Sequence, residues 1–442
     1  MQCEQAQELL VAYARGELPE SQAADLEEHL DTCPSCRWSA DAARRTVAIL
    51  QQSAEPDIVE LVNEILGTAI DRRASDIHVE PGRDEVVVRL RIDGVLHELR
   101  KLPKSSHRAL TARIQTMGFA DPFEARTPQF ARIQVARQDR EYDMRVTLLP
   151  AYWGHRITMR ILDKGSVDLT GLDSIGLFEE NLAALRDLLH RPTGLVVFAG
   201  PAGAGLTTTM YACLAEVNSP RISVLTVEDP VEYVLEGTTQ VSLDTKAGVD
   251  YPTALRAILA SDPDVVMVGQ LRDAPTTSAA VNLAITGHLV LGSFHSAASP
   301  SALMRLGEMD LERHMLAPSL LGIVSQRLVR KVCSSCAKAY KPPADEVAFL
   351  HHAGLTGIPD KLSKGTGCEQ CRNTGYRGRT AIHEILMMTH ELADALAQGR
   401  YTEELGAQAI ARNMVHDGAV KALEGITTVA EVRRVTMPIG GM

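Results

Sequence analysis

A glycine-rich segment near the middle of the chain, GPAGAGLT at 200–207, has the spacing of a phosphate-binding loop except at one position. It follows a strand-like apolar run at 195–199 and precedes a helical pattern, which is the context that such a loop requires. Glycines allow backbone N–H groups to turn inward around a phosphate, and the helix N-terminus adds partial positive charge. The usual lysine is replaced by Leu206, which offers neither a charge nor a hydrogen-bond donor.

The same segment defines the candidate nucleotide-contacting residues. If a nucleotide binds here, Thr207 is placed to hold Mg²⁺. The candidates are the loop and the first residues of the helix: Gly200, Pro201, Ala202, Gly203, Ala204, Gly205, Leu206, Thr207 and Thr208.

Four cysteines near the C-terminus form two C-x₂-C pairs, Cys333 with Cys336 and Cys368 with Cys371. Four thiolates are the ligand set of a closed, tetrahedral structural zinc site. We therefore predict that zinc ties together a long excursion of the chain here and does no chemistry. The alternative, a pair of disulfides, is disfavoured in a reducing compartment.

A second group of possible metal ligands lies at the N-terminus. His29 and Cys33 fall on one face of a predicted helix, Cys36 follows in a tight turn, and Cys3 is available as a fourth ligand. This set predicts a second zinc site, with unmetallated core cysteines as the alternative. The remaining cysteine, Cys213, is expected to be a core residue.

Composition narrows the class of protein. Of the 442 residues, 45% are hydrophobic and 23% are charged, as in globular proteins. The net charge of −11 disfavours non-specific binding to nucleic acid, so no nucleic-acid partner is expected. No apolar run approaches the roughly 20 residues of a membrane span, and the N-terminus lacks the pattern of a secretory signal. We therefore expect a cytoplasmic protein.

Pattern changes along the chain predict an α/β protein of several parts. Strands that alternate with helices after the glycine-rich loop favour a mostly parallel sheet. The predicted parts are a helical zinc-binding module at 1–46, a linker at 47–56, an α+β domain at 57–162, a phosphate-loop domain at 163–330, a tetracysteine zinc subdomain at 331–380 and a helical region at 381–442.

From about residue 57 to its end, the chain resembles the ATPases of type II secretion and type IV pilus assembly. Four motifs in the phosphate-loop domain resemble the family's Walker A, Asp box, Walker B and His box: LVVFAGPAGAGLTTTMYACL at 195–214, LTVEDPVEY at 225–233, ASDPDVVMVGQLRD at 260–273 and AITGHLVLGSFHSA at 284–297. Further matches are ASDIHVEP at 74–81, RLRIDGVLHEL at 89–99, SLLGIVSQRLVRKVCSSC at 319–336 and GYRGRTAIHEIL at 375–386.

The N-terminal 45 residues resemble a different family, the zinc-binding helical domain of anti-sigma factors. The matching positions are Cys3, Tyr13, Gly16, Leu18, His29, Leu30, Cys33 and Cys36. This module stands where secretion ATPases usually carry a larger docking domain, so the resemblance implies a different protein-binding surface and a regulator as its possible partner.

The resemblance to the ATPases implies a RecA-like phosphate-loop domain preceded by an α+β, PAS-like domain. Such pairs assemble as hexameric rings, with ATP and Mg²⁺ between domains, against an inner-membrane platform protein. We expect a homo- or hetero-hexamer in the cytoplasm, held at the inner membrane through partners.

The resemblance also implies roles for individual residues. In the Asp and His boxes, Glu228, Glu232, His288 and His295 are expected to face the nucleotide. In the preceding domain, Arg145, Arg156 and Arg160 are expected to approach the phosphates, although His155 replaces the glutamate of the family's GER triplet. The Walker B glutamate is replaced by Gln270, which has nearly the same shape but cannot accept a proton.

Three functions remain open at this point. The favoured hypothesis is a degenerate ATPase that binds nucleotide, hydrolyses it slowly or not at all, and serves as a regulatory or structural subunit. The second is an active motor in which Lys246 or an arginine of the preceding domain compensates for Leu206. The third is a scaffold whose zinc module captures a regulator, with a sigma factor among the candidates.

Overall fold

The computed structural model describes residues 1–53, 56–122, 124, 126–163, 171–244 and 247–436. The chain divides into two compact units, Met1–Ser166 and Val167–Met442. In the described part of the chain, no helix is both long enough and apolar enough to cross a bilayer.

The first unit begins with three helices: α1 (Cys3–Arg15), α2 (Glu20–Thr32) and α3 (Pro34–Ser53). Gly16 ends α1 because it adopts a left-handed conformation, with φ of 72°. Pro34 begins α3 at a position where its missing N–H costs nothing. The small core between the helices contains Ala6, Leu10, Leu26, Leu30, Cys36, Ala40 and Ala43.

Helix α3 differs from the sequence prediction, because it continues through most of the segment that we predicted as a linker. The chain carries no glycine or proline between Pro34 and Pro56, so nothing in 47–53 interrupts a helix. The next helix, α4, begins at Pro56, because proline is well suited to the first turn of a helix. Residues 54–55 lie outside the described part of the chain.

The rest of the first unit is a six-stranded antiparallel sheet covered on one face by helices α4 (Pro56–Asp71) and α5 (His107–Met117). The strand order is β3-β2-β1-β6-β5-β4. The strands are β1 (Asp76–Pro81), β2 (Glu85–Ile92), β3 (Val95–Pro103), β4 (Gln129–Arg137), β5 (Arg140–Ala151) and β6 (Gly154–Asp163). Buried and partly exposed residues alternate along β2. The sheet is covered on one face only, because apolar side chains pack on the helices and polar ones cover the other face.

The second unit is built on a seven-stranded sheet of order β15-β12-β7-β11-β10-β8-β9, with a separate two-stranded sheet, β13-β14. All neighbours in the large sheet are parallel except β12 and β15. The strands are β7 (Gly194–Ala199), β8 (Val224–Glu228), β9 (Thr239–Ser242), β10 (Val265–Val268), β11 (Leu289–Phe294), β12 (Leu320–Val332), β13 (Ala337–Tyr340), β14 (Leu362–Gly365) and β15 (Tyr376–Met387).

Strands β7, β8, β10 and β11 are buried along their whole length, because helices cover both faces of the sheet. The first helices are α6 (Glu179–Leu189), α7 (Leu206–Val217), α8 (Tyr251–Leu259), α9 (Ala274–Ile285), α10 (Ser299–Glu308) and α11 (Arg313–Ser319). The later ones are α12 (Ala344–His352), α13 (His390–Ala397), α14 (Glu403–Gln408), α15 (Met414–Leu423) and α16 (Val429–Thr436).

The start of the predicted helical region at 381–442 is a strand and not a helix. Residues 381–387 belong to β15, which pairs antiparallel with β12. The segment is apolar and mostly buried, with Ala381, Ile382, Ile385 and Leu386 in the core, so it adds an edge strand to the sheet. Helices begin only at His390.

A buried ion pair ties α15 to this edge strand. Lys421 Nζ donates to Asp417 Oδ2 at 2.8 Å and to the carbonyl of Ala381 at 2.6 Å, and Asp417 Oδ2 also accepts from the backbone N–H of His383. Both side chains are almost fully buried. Burial raises the pKa of Asp417 and lowers the pKa of Lys421, which shows that each charge depends on the other.

We predict that Lys421→Met lowers the free energy of unfolding of the second unit by about 3–5 kcal/mol, because it leaves a buried carboxylate without its cation. Chemical denaturation followed by circular dichroism measures this change. Lys331→Met, which removes an exposed lysine of the same unit, serves as the control and should change stability by less than about 0.5 kcal/mol. Equal effects of the two substitutions would contradict the prediction.

Candidate nucleotide-binding site

The phosphate loop connects the buried strand β7 to helix α7. Its shape requires glycine at two positions, since Gly203 and Gly205 have φ of 78° and 86°. The N–H of Ala204 donates to the carbonyl of Pro201 at 3.0 Å, which closes the turn. Pro201, Ala202 and Gly203 are exposed. The loop therefore presents backbone to solvent at a helix N-terminus, as a phosphate cradle does.

Leu206 turns away from this cradle. Its side chain is only 8% exposed and belongs to the apolar cluster that includes Phe198 and Met210. Its Cδ2 atom lies 3.3 Å from the position that a Cβ on Gly200 would take. Leucine at this position has therefore become part of the core beneath the loop, where it stabilises the fold but supplies no charge to a phosphate.

Gln326, on strand β12, supports the loop from below. Its Nε2 donates to the carbonyl of Ala204 at 2.7 Å, and its Oε1 accepts from Thr209 Oγ1 at 2.6 Å. The ring of His383 lies 3.1 Å from the same Oε1, which assigns the proton to its Nε2. Burial holds the pKa of His383 well below its usual range, so this imidazole is neutral. Our sequence analysis missed this network, although a glutamine within an apolar strand pattern was the signal for it.

Glu228 ends strand β8 at the same edge of the sheet, and its carboxylate is 3% exposed. It accepts hydrogen bonds from Thr226 Oγ1 at 2.6 Å, from Gln240 Nε2 at 3.1 Å and from the Tyr211 hydroxyl. Burial and the neighbouring carboxylate raise the pKa of Tyr211, so it stays a donor. The oxygens of Glu228 therefore connect β8 to α7 and β9, and its contact with a nucleotide stays a prediction. Glu232 lies in the segment between β8 and β9 and is partly buried.

Gln270 follows β10 and Gly269 at the same edge, and its side chain is partly exposed. A Cβ added to Gly269 would lie 3.0 Å from both the carbonyl oxygen of Val227 and the hydroxyl of Tyr251. A side chain at position 269 would therefore be crowded by these two atoms. Packing favours glycine at position 269, and Gln270 is the next side chain along the chain at this edge.

The structure separates the two histidines of the His box. His295 follows β11 at the carboxyl edge, and its Nδ1 lies 3.3 Å from the carbonyl of Gly200, next to the loop. His288 precedes β11 at the opposite edge, where its Nδ1 is 2.8 Å from the carbonyl of Leu283. A strand of this length spans about 17–20 Å. His295 therefore lies beside the phosphate loop, whereas His288 lies about a strand length from it within this chain. A nucleotide contact of either histidine stays a prediction.

The candidate arginines lie together on the polar face of the sheet in the first unit. Arg145 and Arg160 are directly opposite each other on β5 and β6. Arg160 Nε donates to Asp76 Oδ1 at 3.0 Å, and Arg156 Nη2 is 2.8 Å from Glu80 Oε1. Each of the latter two is thus oriented by an acid of strand β1, which also reduces the net charge of the cluster.

One further cation stands at the carboxyl edge of the second unit. Arg272 lies two residues after Gln270, is exposed, and places Nη1 3.6 Å from Asp229 Oδ2. Its guanidinium also covers the ring of Tyr251 at 4.9 Å. We did not single it out from the sequence, although a basic residue this close to the Walker B position was a usable signal. Lys246, which we considered as a substitute cation, lies outside the described residues.

The C-terminal cysteines converge as the spacing predicts. The four Sγ atoms lie within 4.8 Å of one another, with Cys333–Cys368, Cys336–Cys371 and Cys368–Cys371 separations of 3.9, 3.7 and 3.6 Å. Four sulfurs at about 2.3 Å from a tetrahedral zinc ion are about 3.8 Å apart. The N–H of Gly375 points at Cys371 Sγ from 3.3 Å, as donors around a thiolate do. This arrangement fits zinc.

The N-terminal ligands converge as well. Cys3, His29, Cys33 and Cys36 place one ligand atom each within 4.8 Å of all the others, and Cys3 and Cys33 are 3.7 Å apart. His29 Nε2 is buried and has no hydrogen-bond partner in the described structure. An orphaned imidazole nitrogen beside three thiols is explained by a metal ion, so this site also fits zinc.

Comparison with known proteins agrees with this geometry. The family described as "Type II/IV secretion system protein" matches residues 51–434, and a "Putative zinc-finger" family matches residues 3–37. Type II secretion system protein E of Dickeya dadantii (strain 3937) is 41% identical over 394 residues, which is 88% of this chain and 77% of that protein. Type II secretion system ATPase E of Vibrio cholerae serotype O1 is 38% identical over 390 residues, with the same coverage.

Solved structures support the fold. The ATPase DotB of Legionella pneumophila superposes with a TM-score of 0.62 at 18% identity, covering 85% of this chain and 95% of DotB. The pilus retraction motor PilT with bound ADP superposes with a TM-score of 0.55 at 22% identity, covering 85% of this chain and 96% of PilT. These likenesses confirm the predicted fold class of a RecA-like unit after an α+β domain. By its family match and its close relatives, the chain belongs to the type II/IV secretion system protein family, with a zinc-finger domain at its N-terminus.

Proposed function

We propose that the protein is a nucleotide-binding subunit of a secretion or pilus-assembly machine that hydrolyses ATP weakly or not at all. The observation that carries the proposal is the burial of Leu206 in the core beneath an otherwise well-formed phosphate loop. An active site of this type uses a cation here to hold the phosphates and to offset charge in the transition state.

The second departure adds to the first. A carboxylate at position 270 would polarise the attacking water, and a glutamine cannot take its proton. A positioned general base contributes roughly 10²–10⁴-fold to a rate. A hydrogen bond between charged partners is worth roughly 1.5–3 kcal/mol. Either loss by itself lowers turnover strongly, and the two need not add.

The backbone cradle does not depend on these two side chains. Gly203, Gly205 and the N-terminus of α7 keep the shape that binds phosphate, and Gln326 holds it in place. Thr207, partly exposed in the first turn of α7, is the residue that we propose to hold Mg²⁺. Binding of ATP without efficient hydrolysis follows from a cradle that lacks its lysine and its base.

The setting follows from the family. We propose a cytoplasmic subunit of a homo- or hetero-hexamer, attached at the inner membrane through a platform protein. A hetero-hexamer would let an active paralogue supply hydrolysis while this subunit has a regulatory or structural role. The zinc module is proposed to bind a regulator.

Arg272 favours a second candidate function, an active motor. It supplies a cation at the carboxyl edge of the sheet, where its present partner Asp229 is exposed and easily exchanged for a phosphate. In that case the rate would depend on Arg272, and replacing it would abolish hydrolysis. If the favoured function is correct, replacing Arg272 changes a rate of ATP hydrolysis that is already low.

We predict that zinc-loaded protein binds Mg·ATP but turns it over below the roughly 1–10³ s⁻¹ range of typical enzymes. The double variant Leu206→Lys/Gln270→Glu should raise hydrolysis by about 10²-fold or more, because it restores both the cation and the base. Phosphate release measures the rates. Leu206→Met, which keeps the position apolar, serves as the control and should leave the rate unchanged. Normal turnover of the unmodified protein, or no gain in the double variant, refutes the proposal.

The support given by Gln326 leads to a separate prediction. Gln326→Leu leaves the Ala204 carbonyl and the Thr209 hydroxyl without their partner, at a cost of about 1–3 kcal/mol, and loosens the loop. We expect nucleotide affinity to fall about tenfold in calorimetric titration with Mg·ADP. Gln398→Leu, an exposed position of the same unit, should not change it. An unchanged affinity in Gln326→Leu would show that the loop does not need this support.

The two ligand sets predict two zinc ions per chain, measured by elemental analysis of protein purified without chelator. Cys36→Ser should reduce the content to one by emptying the N-terminal site, and Cys371→Ser should do the same at the C-terminal site. Cys213→Ala, which changes a buried cysteine outside both ligand sets, should leave two. A single zinc ion in the unmodified protein would show that one of the predicted sites is wrong.

A further inference from the structure

Aromatic residues make up only 4% of this chain. Three of the exposed ones in its described part, Trp38, Tyr152 and Trp153, line one groove, whereas Phe119 and Phe130 are exposed outside it. The whole sequence has two tryptophans, Trp38 and Trp153. Both are exposed, at 62% and 44%, and both line the same groove of the first unit together with Tyr152, which is 90% exposed. Tyr152 and Trp153 form an edge-to-face pair with ring centroids 4.8 Å apart. Exposed aromatic clusters of this kind are characteristic of binding surfaces.

The groove forms where the zinc module meets the α+β domain. Helix α5 is its floor, helix α3 supplies one wall through Trp38, and the β5–β6 hairpin at 150–155 supplies the other. Its volume is about 1240 Å³. This exceeds the roughly 300–1,000 Å³ of pockets that enclose a small ligand, and the size suits a segment of polypeptide.

The charge of the groove is opposite to that of the protein as a whole. Among the described residues, its lining includes Arg45, Arg108, Arg126 and Lys104, and Glu124 is the one acid. The Glu124 carboxylate accepts hydrogen bonds from backbone N–H groups of its own loop, which lower its pKa. The chain overall has a net charge of −11, so this basic concavity is a local exception.

We propose that this groove, named here the aromatic-basic groove and defined by Trp38, Trp153, Tyr152, Arg45, Arg108 and Arg126, is the docking site for an acidic segment of a partner protein that also carries aromatic or apolar side chains. Carboxylates would pair with the guanidinium groups, and apolar side chains would lie on the rings. A long polyanion such as nucleic acid is less suited, because it would extend past four clustered cations onto a surface of like charge.

The zinc module contributes directly to the groove. Trp38 and Arg45 stand on α3, which begins directly after Cys33 and contains Cys36. Their placement opposite the hairpin therefore depends on the ligand set that shapes the start of this helix. The N-terminal module completes a binding surface whose other half belongs to the α+β domain.

The test uses the two tryptophans as reporters in the full-length, zinc-loaded protein without nucleotide. We expect a random copolymer of glutamate and tyrosine to change the tryptophan fluorescence in a saturable way. The copolymer should bind at least about tenfold more tightly than polyglutamate, because only the copolymer offers aromatic side chains to the rings of the groove. Arg108→Glu should weaken binding of the copolymer at least about tenfold. Arg140→Glu, an exposed arginine of the same unit outside the groove, should alter it less than about twofold.

Four outcomes would overturn the proposal: no binding of the copolymer, equal binding of polyglutamate, equal losses in Arg108→Glu and Arg140→Glu, or tighter binding of a single-stranded oligonucleotide or of phosphatidylglycerol vesicles. Trp153→Ala, with Trp38 kept as the reporter, provides a second variant that should also weaken binding. Thermal unfolding of each variant confirms that it folds. Because no nucleotide is present, the result is independent of whether the phosphate loop binds ATP.

Discussion

The candidate site depends on one constraint: the parallel strands of the second unit all end at the same edge of the sheet. Strands β7, β8, β10 and β11 are buried on both faces, so their direction and register are set by packing. Each strand delivers one element to the same edge: the phosphate loop, Glu228, Gln270 and His295. Ligands of open α/β sheets bind at this edge because helix N-termini and strand ends converge there.

Two buried polar side chains keep this edge in shape. Glu228 joins α7, β8 and the strand that follows, and Gln326 joins the loop to β12 and, through His383, to β15. Leaving a buried carboxylate or amide without hydrogen-bond partners costs more free energy than those hydrogen bonds contribute when they form. Glu228 and Gln326 therefore hold their partners in one arrangement. This scaffold persists although lysine and glutamate are replaced by Leu206 and Gln270. These supports hold the phosphate loop in shape without using the side chains at positions 206 and 270.

The zinc-ligand sets have a different role. The C-terminal set joins the end of β12 to the start of β15 across an excursion of more than thirty residues, as the 35-residue separation of Cys333 and Cys368 shows. The N-terminal set shapes a module whose described part has fewer than ten buried apolar residues, which is too small a hydrophobic core to fold on alone. Through α3 this module forms a wall of the aromatic-basic groove, so the proposed partner surface and the metal site are parts of one arrangement.

Short-range patterns in the sequence determined much of this protein: the phosphate loop, both metal-ligand sets, the order of α+β and parallel α/β parts, and the family itself. Each depends on residues close together or on motifs with one geometric solution. The sequence did not reveal that α3 continues through the predicted linker or that 381–387 forms a strand, because helix and strand ends depend on competing tertiary contacts. Only the tertiary structure decided that Leu206 lies in the core, that Glu228 is occupied by hydrogen bonds, and that His288 stands a strand length from His295. Burial and the edge of the sheet at which a residue lies depend on how segments distant in sequence pack against one another. These three facts could therefore be read only from the tertiary structure.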